Sequence, residues 1–276
     1  MRIVTFSRNG AVQHGVRTGD RVRVHPTAPS AVDLAVDASS YPAGEEVAFS
    51  EVTLLAPVPR PGKLICIGLN YRAHAIEGGN PIPDYPAVFL RTATSLTEPD
   101  AEMILPEVSD QLDYEAELAV IIGRTATNVS VADALDHVAG YACFNDGSVR
   151  NYQRKSTQWT MGKNFDRTGG FGPELVTPDE LPEGAAPLRI VSRLNGEVMQ
   201  DSDTADMIFD VRALIATLSE AMTLEPGDVI ATGTPSGVGY ARKPPRFLRE
   251  GDRIEVEIEG IGTLANTVAR RGGTAA

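Results

Sequence analysis

Asp113-Tyr114-Glu115-Ala116-Glu117-Leu118-Ala119-Val120-Ile121-Ile122-Gly123 sets three carboxylates directly before five apolar residues. Side chains alternate faces along a strand, so Asp113, Glu115 and Glu117 are expected to point the same way. The run 118–122 is apolar on both faces, which belongs in a core. Like charges therefore lie where a strand enters the interior, a costly place unless something compensates them. A divalent cation would do so. Carboxylate oxygens are hard ligands suited to Mg2+, Mn2+ or Ca2+, and no Cys or His lies nearby to favour zinc. Asp146 is the candidate third ligand, because it ends an apolar strand just before Gly147. The competing reading is a solvated edge strand. The chain shows how easily that pattern arises: in Arg253-Ile254-Glu255-Val256-Glu257-Ile258-Glu259 the acids alternate with apolar residues and read as solvent-facing. Spacing alone leaves both readings open.

Working outward, short strands are expected at 63–68, 115–122, 140–144, 229–232 and 253–259, with alternating segments in the first 50 residues. Residues 70–77 can form a helical turn or two before Pro81, Pro83 and Pro86 break the chain. A helix is expected over 130–138, with Ser130 as cap and Asp133 three residues on. The clearest helix is 210–222: Asp210 caps it, and Val211, Leu214, Ile215, Leu218 and Met222 share one face. The proline-rich stretch 56–62 reads as a linker. The expected fold is mixed α+β and β-rich, with residues 1–58 as a small N-terminal β domain and 59–276 as the catalytic domain.

Composition narrows the function. Lys+Arg 25 against Asp+Glu 37 gives a net charge of −12, which argues against nucleic-acid and anionic-membrane partners. No apolar stretch approaches the roughly 18 residues of a membrane span. The N-terminal residues lack the apolar region of a signal peptide. Cys66 and Cys143 have no CxxC partner and read as reduced core residues, so the expected location is cytoplasmic.

Among the four histidines, His74 stands out because Glu77 follows three residues later, on the same face of a helical turn. A carboxylate beside imidazole orients it and raises its basicity, as a general base requires, although the same spacing serves a surface ion pair. Lys163, among glycines and aromatics, can stabilise an oxyanion or be a plain loop lysine. The loop 232–239 (TGTPSGVG) lacks a P-loop ending and is expected to offer the Thr234 hydroxyl and backbone N–H groups to a substrate carboxylate. No G-x-S-x-G nucleophile elbow is present, which weighs against an α/β-hydrolase.

Five stretches occur in an order that resembles the fumarylacetoacetate hydrolase family. They are 68–74 (GLNYRAH), 113–123, 145–150 (NDGSVR), 162–166 (GKNFD) and 226–239. The resemblance implies a mixed β-roll catalytic domain and usually a homodimer. It implies one Mg2+ or Mn2+ per chain on Glu115, Glu117 and Asp146, and a water-activating dyad of His74 and Glu77 on a lid. Lys163 matches the family lysine beside the reacting carbonyl, and Arg150, Gln153 and Thr234 match positions that contact substrate oxygens. The short N-terminal segment is similar to that of short bacterial members. Those include acylpyruvate hydrolases, 2-oxoacid decarboxylases and isomerases of aromatic catabolism. The leading expectation is a metal-dependent hydrolase that cleaves a C–C bond in an acylpyruvate or other β-diketo acid, such as fumarylpyruvate, through a pyruvate enolate. The alternative uses the same metal site as an oxaloacetate-type decarboxylase or a 2-hydroxyhepta-2,4-diene-1,7-dioate isomerase. A non-catalytic metal or small-acid binding protein is the reading from another class.

Overall fold

The strand Ala116–Ile122 is buried along its whole length, as its two-sided apolar run requires. Leu118, Val120 and Ile122 pack into one core with the helix Val211–Ala221 and with Ile190, Val256, Ile258 and Leu264 of a second sheet. Ala119 and Ile121 face the other core, with Ala31, Val32 and Leu34 of the helix Ala31–Val36. The structure is a computed structural model that describes residues 1–270; the last six residues of the expected catalytic domain lie outside the described residues.

Ala116–Ile122 lies inside a twelve-stranded mixed sheet, between Val138–Asp146 and Val229–Ala231. Beyond Val229–Ala231 come Leu64–Gly68, parallel to it, and then the outer strand Ala87–Arg91. On the other side the order runs through Gly169–Val176 to Arg2–Arg8 and the N-terminal hairpins. Arg2 pairs with Val176 and Ile3 with Leu175, so the first strands continue the same sheet. They also keep a small core of their own, made of Val4, Phe6, Val22, Val24 and Val47. The second sheet has five strands, from Glu197–Asp203 to Glu102–Leu105. Its strand Arg253–Ile258 buries Ile254, Val256 and Ile258 and leaves its acids partly exposed, the amphipathic pattern expected of it.

The helix Val211–Ala221 forms as its sequence indicates, with the Asp210 side chain accepting from the Ala213 N–H at 2.8 Å. The helix expected over 130–138 does not form. Ser130 does cap Asp133, but the segment is a turn followed by a short 3-10 helix, Ala134–His137, because the next strand starts at Val138. Both cysteines are free and buried.

Candidate active site

Antiparallel register assembles the acidic cluster. Glu117 pairs with Phe144 and Ala116 with Asn145, and the Asp146 N–H donates to the Glu115 carbonyl at 2.9 Å. Facing residues of paired strands share a face, so Asp146 joins Glu115 and Glu117. A ligand oxygen from each of the three lies within 4.8 Å of the others. Glu115 is 5% exposed, Glu117 1% and Asp146 0%, so the solvated-edge reading does not hold.

Asp113 leaves this group. The strand is interrupted after it: Leu112–Asp113 pairs separately with Ser148–Val149. The Asp113 carboxylate instead accepts from the N–H groups of Gly239 (2.8 Å) and Tyr240 (3.0 Å) and from Arg150 Nε (2.8 Å). Burial raises its pKa in spite of Arg150.

Cations fill the gaps between the acids. Lys163, from the short helix Thr160–Lys163, is 2% exposed, with Nζ 2.6 Å from Glu115 Oε2 and 2.5 Å from Asp146 Oδ2. It is therefore no loose surface lysine; it neutralises the cluster from within. Burial opposes the charged ammonium, but Asp146 and Glu115 outweigh it and raise its pKa. Arg91 holds the other Asp146 oxygen and also binds the Gly147 carbonyl at 3.0 Å and Thr168 at 3.0 Å. Arg150 Nη2 lies 2.6 Å from Glu115 Oε1, and Nη1 donates to Gln153 at 2.9 Å. Burial pushes the Glu115 carboxyl up, yet Arg150 and Lys163 win and hold it below its usual range, at about 2. Glu117 differs. It makes no direct ion pair among the described residues and accepts only from the Gly233 N–H, at 3.0 Å. Burial, with Asp146 and Glu115 nearby, drives its pKa well above normal. An all-oxygen, buried donor set with one uncompensated carboxylate fits a hard divalent cation.

The glycine-rich loop has a task within the fold. Its backbone N–H groups grip the protein's own acids: Gly233 holds Glu117, Gly237 holds Glu77 at 3.0 Å and Gly239 holds Asp113. The Thr234 hydroxyl donates to the Ala116 carbonyl at 2.9 Å and accepts from Gln200 at 2.7 Å. Its proton fixes the loop to the strand, while its side chain lines the cleft. Two glycines are required here. Gly233 and Gly237 have φ of +97° and +103°, and a Cβ at Gly237 would lie 2.3 Å from the Met199 carbonyl oxygen.

His74, on the helix Arg72–Glu77, is 6% exposed, and its Nδ1 lies 3.2 Å from Glu77 Oε2. Asn70 anchors the start of that helix through the Thr232 and Phe209 carbonyls at 2.7 and 2.9 Å. His74, Glu115, Glu117, Asp146, Arg150, Gln153, Lys163 and Thr234 line one cleft of about 380 Å3, with Phe89, Arg154, Trp159 and Tyr240. Sequence reasoning missed Arg91, Arg154, Trp159 and Tyr240. Arg91 is a lone cation in an apolar strand, and only the tertiary packing brings it to Asp146.

A sheet-rich α/β fold with a buried acidic triad at the base of a small cleft defines a class of enzymes. The chain belongs to the fumarylacetoacetate hydrolase family: "Fumarylacetoacetate (FAA) hydrolase C-terminal" matches residues 63–269, and "Rv2993c-like, N-terminal" matches residues 1–57. It is 49% identical over 224 residues to oxaloacetate tautomerase YisK of Bacillus subtilis (strain 168), covering 80% of this chain and 74% of that one. It is 46% identical over 221 residues to mitochondrial oxaloacetate tautomerase FAHD2A of Homo sapiens, covering 79% of this chain and 70% of that one. The crystal structure of 2-hydroxyhepta-2,4-diene-1,7-dioate isomerase from Mycobacterium marinum superposes with a TM-score of 0.83 at 34% identity, covering 99% of both chains. No helix among the described residues is long and apolar enough to cross a membrane.

Proposed function

We propose that this protein is a divalent-metal-dependent tautomerase or isomerase of small 2-oxo diacids of the oxaloacetate type, in place of the C–C hydrolase that the sequence put first. The observation that carries the reading is the meeting, in one small cleft, of a buried acidic triad and a histidine oriented by a glutamate. The likeness to relatives named oxaloacetate tautomerases and 2-hydroxyhepta-2,4-diene-1,7-dioate isomerase supports it.

Glu115, Glu117 and Asp146 would hold the cation, read as Mg2+ or Mn2+, which supplies Lewis acidity that favours the enol form of a 2-oxo acid. The chain's own groups handle the proton. A carboxylate only accepts, so Glu77 keeps the proton of His74 on Nδ1 and leaves Nε2 as the basic nitrogen. Nε2 takes the proton from the carbon beside the 2-oxo group and passes that same proton to the oxygen of the group, which returns the imidazole to its neutral form; no water is consumed. Lys163 and Arg150 hold Glu115 ionised, and Lys163 and Arg91 hold Asp146 in place. The Gly237 N–H fixes Glu77, and through it the imidazole. C–C hydrolysis stays second, because the same nitrogen could equally deprotonate a water. We also read the protein as a cytoplasmic homodimer.

The test is the decay of enol oxaloacetate absorbance with the purified chain, with Mg2+ or Mn2+ against EDTA. A rate no faster than buffer with either metal would sink the tautomerase reading. Release of pyruvate from acetylpyruvate or fumarylpyruvate would promote hydrolysis in its place.

A further inference from the structure

Among the described residues, the cleft holds one cation that the site chemistry does not use. Lys163 is neutralised by Glu115 and Asp146, and Arg150 by Asp113 and Glu115. Arg154 lines the same cleft, is exposed, and makes no ion pair or side-chain hydrogen bond among the described residues. Its guanidinium lies over the Tyr240 ring, with the guanidinium carbon 4.7 Å from the ring centroid. Tyr240 is itself fixed, because its N–H donates to the buried Asp113. A guanidinium lying on an aromatic face keeps the N–H groups of its planar fork free for bidentate contact with a carboxylate.

We infer that Arg154, stacked on Tyr240, takes the second carboxylate of a dicarboxylic 2-oxo acid and so sets the preference for diacids over monoacids. The inference rests on the function proposed above. A diacid brings one anionic end to the triad and its cation. Its other end lies in a cleft walled by carboxylates, where it needs a positive charge that is not already matched. Gln153 assists: Arg150 holds its Oε1, and Nε2 remains a donor with no partner among the described residues.

The test compares enol oxaloacetate with its 4-methyl ester, using metal-loaded full-length chain and the variants Arg154→Ala and Arg154→Lys. Arg154→Ala is expected to raise KM for the diacid roughly ten- to a hundredfold. Its kcat should stay within about threefold, and KM for the ester should barely move. Arg154→Lys should recover part of the loss, because it restores the charge without the fork. Equal effects on both compounds, or none on the diacid, overturn the assignment. Calorimetric binding of each compound is measured alongside. If the wild type turned over neither compound, the tautomerase reading would fall while Arg154 is still judged by binding. A diacid preference lost in Arg154→Ala supports the assignment; no preference in the wild type, or one that survives the substitution, overturns it.

Discussion

Lys163 decides how the isolated chain tolerates its own acids. Its ammonium touches two of the three triad carboxylates from inside the cluster. Removing one partner of a buried ion pair strands the other, at a typical cost of about 3–5 kcal/mol. Lys163→Met should therefore lower the melting temperature in EDTA, and Mg2+ should restore more stability to the variant than to the wild type; thermal unfolding with and without Mg2+ measures this. Glu117 makes a pH prediction. Its folded pKa is raised, so without metal the stability it supports is present below its ordinary value of 4.5 and is lost as pH climbs toward the raised one. Glu115 has the opposite sign: its contribution is present above 4.5 and is lost as pH falls toward about 2. Since a metal must bind the ionised carboxylate, the melting-temperature gain from Mg2+ should widen as pH rises above 4.5. Glu117→Gln should flatten that trend, and a gain that did not depend on pH would contradict it.

At the scale of elements, sequence patterns were readable where one residue type served one purpose. Asp210 and the apolar stripe of 211–221 specify a helix locally, and Asp210→Ala should cost about 1 kcal/mol in urea unfolding. For Glu115 and Glu117, strand alternation and the apolar run that follows were local and suggested a shared, partly buried face, but their grouping with Asp146 depended on the pairing of two strands. The interruption after Asp113 was not readable, because it depends on Gly239 and Tyr240, more than a hundred residues away. The loop 232–239 reads as a cradle, and three of its N–H groups, those of Gly233, Gly237 and Gly239, hold the chain's own carboxylates. Nothing in TGTPSGVG says whether its N–H groups meet a substrate or the chain's own carboxylates. Gly237→Ala should displace Glu77 by forcing a Cβ against the Met199 carbonyl. Turnover is then expected to fall at least about tenfold, while Mg2+ binding to the triad, read by calorimetry, stays near wild type.

At the scale of the molecule, the long mixed sheet ends on one side at Ala87–Arg91, where Val88 and Leu90 are 40% and 50% exposed. An uncovered, apolar outer strand invites pairing with another chain, which supports the homodimer proposed above. Val88→Asp together with Leu90→Lys should move the protein from dimer to monomer in sedimentation velocity; a wild type that sediments as a monomer removes the proposal. The β-rich class was legible from the many short strands. Their order was not, because pairings such as Arg2 with Val176 join distant parts of the chain.

The strip of backbone from Gly233 to Gly239 holds a triad carboxylate, the orienter of the imidazole and, through the Gly239 N–H, the aspartate that also binds the Tyr240 N–H. Substitutions at Glu117, Glu77 and Asp113 should therefore be epistatic, with the first change setting the cost of the next. The Arg154 side chain meets this frame through its stacking contact with Tyr240. Divergence in such a chain is channelled to the rim of the cleft, where substrate preference can drift while the chemistry beneath is inherited whole.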